Sequence, residues 1–111
     1  MTDIDISGFL PLPHLPFHIL LALAEGEAHG WAVVKRIEEL TRGHSKPSSG
    51  SLYLALSRMQ EQGLVEEVDA PIDETDSRRR YHTLSDLGRR VLSAEIARLD
   101  GLVDVARSAG I

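Results

Sequence analysis

Apolar residues recur along this chain in stretches of helical spacing, separated by turns that carry glycine or proline. Leu15 to Glu25, LPFHILLALAE, is apolar almost all round. That predicts a buried helix ended by Gly26, with Leu15 and Ile19 available to an intersubunit contact. From Trp31 to Thr41, Val33, Val34, Ile37 and Leu40 share one face while Lys35, Arg36, Glu38 and Glu39 point outward, and Gly43 closes this second helix. Pro47 precedes Ser48, a good N-cap, so a third helix starts there. Leu52, Ala55, Leu56 and Met59 form its inner face, and Gly63 stops it.

Beyond that glycine the period changes. Leu64 to Val68 reads as a strand, Asp69 to Ser77 with Pro71 as an exposed loop, and Arg79 to Leu84 as the returning strand. Ser85 caps a last helix and Asp86 suits its positive end. Along that helix Leu92, Ile96, Leu99, Val103 and Ala106 run in steps of four, three, four and three. So short a domain has little of its own chain left to cover such a seam, which points to a second subunit. The bland alternative folds the seam back on the first helix. The order of helix, helix, helix, strand, basic turn, strand is that of a winged helix-turn-helix, mainly α with a small β-hairpin. The expected organisation is an arm over 1–13, a winged helix-turn-helix domain over 14–84 and a dimerisation helix over 85–111.

Composition narrows the choices. With 111 residues and 42% hydrophobic content the chain is one soluble domain with a modest core. No apolar run is long enough to span a membrane, and the start lacks the pattern of a secretory signal, so a cytoplasmic location is expected. The absence of cysteine removes disulfides, thiolate nucleophiles and cysteine-bound zinc. A net charge of −5 argues against nucleic acid as a partner. The distribution argues the other way, because Lys46, Arg58, Arg78, Arg79, Arg80, Arg89 and Arg90 fall in or beside the third helix and the hairpin.

On the third helix, Gly50, Leu54, Ser57, Arg58 and Glu61 point away from the direction set by Leu52, flanked by Ser49, Ser51 and Tyr53. This face suits a DNA groove. Gly50 permits close approach, Ser49 and Ser51 can donate to phosphates or base edges, and Leu54 can meet a thymine methyl. Alone it would read as a solvated face with one exposed leucine. The RRRY run, Arg78 to Tyr81, lifts the functional reading above that one: it can be a solvated charge run, yet three arginines on a hairpin present cations suited to phosphate or minor-groove contact.

His14 and His18 have a helical metal spacing, yet Pro16 stands between them and no third ligand is apparent, so no metal is assigned. His29 is expected to bond backbone in its turn. No GxSxG, HExxH or P-loop appears, and neither an enzyme nor a cofactor is expected.

The segments ILLALAEGEAHGWAVVKRIEE, PSSGSLYLALSRMQEQGLVEE and RRRYHTLSDLGRRVL together resemble the PadR-type transcriptional regulators, in which ILxLLxxGxxHGYEI, PGTLYxALxxLExxGLI and RRxYYxLTxxGxxxL are typical. The likeness covers Phe9 to the C-terminus. It implies a homodimeric repressor of a double-stranded DNA operator, with a long C-terminal dimerisation helix and small-molecule effectors. Trp31, Ser49, Ser51 and His82 depart from the usual residues and leave operator and inducer open. An effector pocket is expected between the last helix and the partner's first helix, lined by Leu and Val. The competing reading is a winged-helix module for protein contacts that binds no DNA.

Overall fold

The computed structural model describes residues 5–111. A single 3-10 turn, Ser7–Phe9, leads into α1 (His14–Ala24), β1 (Ala28–His29), α2 (Gly30–Leu40), α3 (Ser49–Glu61), β2 (Val65–Val68), β3 (Tyr81–Leu84) and α4 (Asp86–Ser108). The three strands form one antiparallel sheet in the order β1-β3-β2. Tyr81 pairs with His29 on one side and Val68 on the other, and His82 pairs with Ala28 and Glu67. The winged helix-turn-helix expected from the sequence is therefore the fold.

The caps act where the sequence placed them. Ser48 Oγ accepts from the Ser51 N–H, and Ser85 Oγ accepts from the Gly88 N–H. Gly63, at φ 81°, lets the chain leave α3 through a left-handed turn, and Gly43 does the same after α2. Ile19, Leu20, Leu23, Val33, Ile37, Leu52, Leu56, Met59, Leu64 and Val91 close one core between the helices and the sheet.

The structure adds two features and shifts two expectations. β1 was not foreseen; it is two residues long, formed where Ala28 is buried against the middle strand. The returning strand begins at Tyr81 rather than Arg79, because Arg79 and Arg80 turn to acids of the wing instead of entering the ladder. Over its described part the arm packs on the core through Ile6, Phe9, Leu10 and Leu12, and the Leu12 N–H donates to Glu95 Oε2 at 2.8 Å. Leu40 lies at the solvent end of its face, 42% exposed.

Candidate nucleic-acid interface

The exposed ridge of α3 carries Gly50, Tyr53, Leu54, Ser57 and Arg58, with Ser49 and Ser51 at its first turn. Leu54 is 57% exposed, a large apolar side chain offered to solvent beside hydroxyls. The ridge separates two depressions. On one side a cleft of about 340 Å³ is bordered by Ser49, Tyr53, Trp31, Arg78, Arg79 and Arg80, so the start of the third helix and the arginine run share one concavity. On the other, Ser51, Leu54 and Arg58 border a larger groove facing the N-terminal arm. Lys46 stands apart from both and pairs with Glu38 at 3.7 Å.

The wing cations are not bare. Arg78 pairs with Asp76 at 3.2 Å, Arg79 with Glu74 at 3.2 Å and Arg80 with Glu67 at 3.6 Å. The pairs of Arg78 and Arg80 are exposed and therefore weak, so a phosphate can compete for those two arginines, whereas the Glu74 side chain that holds Arg79 is only 7% exposed. Glu74 is the organiser of the wing. Its Oε1 accepts from the Tyr81 hydroxyl at 2.6 Å and from Arg79, and its second oxygen accepts from the Asp76 N–H. These donors hold its carboxyl down at a pKa of about 2, the Tyr81 hydroxyl being the largest cause.

Tyr81 also sets the wing against the helices. Its ring meets His29 edge-on at 5.3 Å, and His29 stacks with Trp31 at 6.4 Å. Lys35 Nζ lies 5.1 Å from the centre of the Trp31 ring. The Nδ1 of His29 accepts from the Ala32 N–H, the backbone role expected of it. Sequence reasoning marked Trp31 only as a departure from the family pattern and Lys35 only as an outward charge. The signal was a tryptophan directly at the start of a helix, where the aromatic run with His29 and Tyr81 is visible only once β1 and β3 pair.

On α4, Leu92 is nearly buried in the protomer, while Ile96 and Val103 are exposed and Leu99 and Ala106 half-buried. Leu102 widens the apolar strip, and Val105 is exposed on the side away from Ile96. Ile19 is fully enclosed by its own core and offers no surface to a partner, whereas Leu15 keeps some exposure. The His14 and His18 rings lie 6.2 Å apart, and among the described residues no cluster of three metal-ligating side chains occurs. Nor is any helix among them long and apolar enough to cross a membrane.

Comparison with known proteins agrees with this fold. A Streptomyces fradiae protein of 37.1 kDa encoded in transposon TN4556 is 40% identical over 88 residues, which cover 77% of this chain and 24% of that protein. The chain thus spans about a quarter of the length of the curated relatives it matches. Among solved structures, a PadR family transcription regulator from hypervirulent Clostridium difficile superposes with a TM-score of 0.74 at 22% identity, covering 86% of this chain and 97% of that one. Bacillus subtilis PadR, solved in complex with operator DNA, superposes at 0.65 and 22% identity over 78% of this chain and 48% of that one. The profile of the Transcriptional regulator PadR-like family matches residues 19–94, and the chain belongs to that family of regulators.

Proposed function

We propose that the chain acts as a homodimeric, sequence-specific repressor that occupies a double-stranded DNA operator and releases it in response to a small molecule. The observation that carries the DNA reading is the shared cleft of Ser49, Tyr53 and Arg78 to Arg80. A helix laid in the major groove with its first turns towards the bases brings such a wing beside the flanking phosphates. Ser51, Leu54 and Gly50 then face base edges, while Arg79, Arg80, Lys46 and Lys35 serve the backbone.

The dimer reading rests on α4. From Ile96 to Ser108 no residue is buried, although the strip of Ile96, Leu99, Leu102 and Val103 is apolar. An isolated helical segment of this length is marginal in water, so a second copy is the natural cover. Paired subunits would set two α3 ridges about 34 Å apart, one turn of B-DNA.

The test is selection of bound fragments from a genomic library, followed by footprinting. A protected two-fold symmetric site is expected, with half-sites one helical turn apart. The complete pairing of the wing arginines with acids favours the second reading, a winged-helix module for protein contacts. Failure to enrich any fragment at low salt would favour that module.

A further inference from the structure

The groove on the arm side of α3 shares Ser51, Leu54 and Arg58 with the DNA face, but its arm wall has no place in the reading above and its chemistry is distinct. Its volume is about 610 Å³, within the range of small-molecule sites. Phe9, Leu12 and Leu15 form one wall, and Leu54 and Met59 belong to the other. It runs beside α3 from Ser51 to Gln62, a length of about 16 Å at the rise of an α-helix. That shape is a trough rather than a round pocket. One cation, Arg58, borders it. Unlike Arg78, Arg79 and Arg80, Arg58 has no carboxylate partner among the described residues. The arm wall is held in place from behind, where the Leu12 N–H donates to Glu95 on α4. Glu95 is 2% exposed and fixed by Arg98.

We infer that this trough is a binding site for a medium-chain fatty carboxylate, with the alkyl chain along Phe9, Leu12, Leu15 and Leu54 and the head group on Arg58. The guanidinium fork matches a carboxylate, and Gln62 at the same end can add a donor. An apolar trough with a single unpaired cation selects against both neutral chains and cationic amphiphiles. Binding would place the ligand against Ser51, Leu54 and Arg58, residues assigned above to the DNA face. Ligand and operator would therefore exclude one another. That last consequence rests on the DNA-binding reading, whereas occupancy of the trough does not.

The probe is sodium decanoate, titrated below its micelle concentration into the 111-residue protein by calorimetry, with amide shifts recorded in parallel. Decanol and decyltrimethylammonium are the chemical controls. Saturable decanoate binding is expected, with shifts at Phe9, Leu12 and Leu54 and no saturable binding of the cation. Arg58→Gln should weaken decanoate about tenfold, the value of one charge-assisted contact. Phe9→Ala should weaken it while keeping operator affinity and helical content, which separates loss of the site from loss of the fold. Decanoate should raise the apparent operator Kd of the wild type and not that of Phe9→Ala. Absence of saturable binding overturns the site, as does equal binding by Arg58→Gln. Binding gained only when Val103→Asp has dissociated the dimer would assign the trough to the second copy and overturn the proposal too. If decanoate binds as expected but no duplex does, the site stands and the DNA reading falls.

Discussion

A β-carbon at Gly88 would lie 2.1 Å from the main-chain oxygen of Leu64. The first turn of α4 passes directly over the end of α3, and Ser85 closes the junction by donating from Oγ to the Gly63 carbonyl and from its N–H to that of Leu64. The obstacle is backbone, so it cannot swing aside as a side chain would. Gly88→Ala is expected to cost at least the 1–3 kcal/mol typical of overpacking. For a domain of this size each kcal/mol lowers Tm by roughly 4–8 °C. Calorimetry showing an unchanged Tm would mean that α4 leaves the sheet along another path.

That junction was legible in the sequence because it depends on local chemistry: a serine cap, an acidic first turn and a glycine three residues after the cap. The same holds for Ser48 and Gly63 around α3, and for the ridge of Gly50, Leu54 and Arg58, since helical periodicity alone separates it from Leu52 and Met59. What stayed hidden needs distant residues. β1 is too short to carry a period and exists only through its pairing with β3. The packing of Phe9 and Leu12 lies in a proline-rich stretch without a repeating pattern. The pairing of Arg80 with Glu67 joins a loop to a strand thirteen positions earlier. Glu95 is the instructive omission. It lies between Leu92 and Leu99 on the seam side of α4, and an acid in that place could have been read as a buried anchor.

The wing should loosen in acid. Glu74 has its carboxyl lowered from 4.5 to about 2 in the folded protein. A depressed carboxylate adds stability above its unfolded value and loses it as the pH falls through the folded one. Exchange of the wing amides and the Tyr81 ring shift should therefore change progressively from about pH 4.5 towards pH 2, while α1 to α3 follow only global unfolding. Glu74→Gln should flatten that profile at neutral pH already. An identical acid limb in the variant would assign the effect elsewhere, Asp76 being the next group with a lowered carboxyl.

Leu99→Asp places a charge in the centre of the α4 strip and should yield monomers in sedimentation experiments. Val103→Asp, which touches no core of its own protomer, is the companion that should dissociate without unfolding. Dimers persisting in both variants at micromolar concentration would remove α4 from the interface.

Relief of one wing ion pair should strengthen DNA binding. Glu67→Gln leaves Arg80 without its carboxylate and removes a negative charge from the same edge of the sheet. An exposed pair of about 0.2–1 kcal/mol corresponds to a gain of roughly 1.4- to 5-fold in affinity at low salt. Weaker binding by Glu67→Gln would show that the pair positions Arg80 for its contact rather than competing with it.

The central claim is that an acidic protein grips DNA through a basic wing and reads it with α3, and salt-dependent titration tests this most directly. Wild type and Arg79→Ala/Arg80→Ala should be titrated with a selected duplex and a random one between 50 and 200 mM salt, a span over which each lost phosphate contact changes the slope of log affinity against log salt by about 0.9. The double variant should lose affinity for both duplexes alike and have a shallower slope by roughly two such steps per subunit. Leu54→Glu should instead erase the preference between the duplexes. Wild-type protein without affinity for any selected duplex at about 50 mM salt, or a double variant with unaltered affinity and slope, would contradict the account.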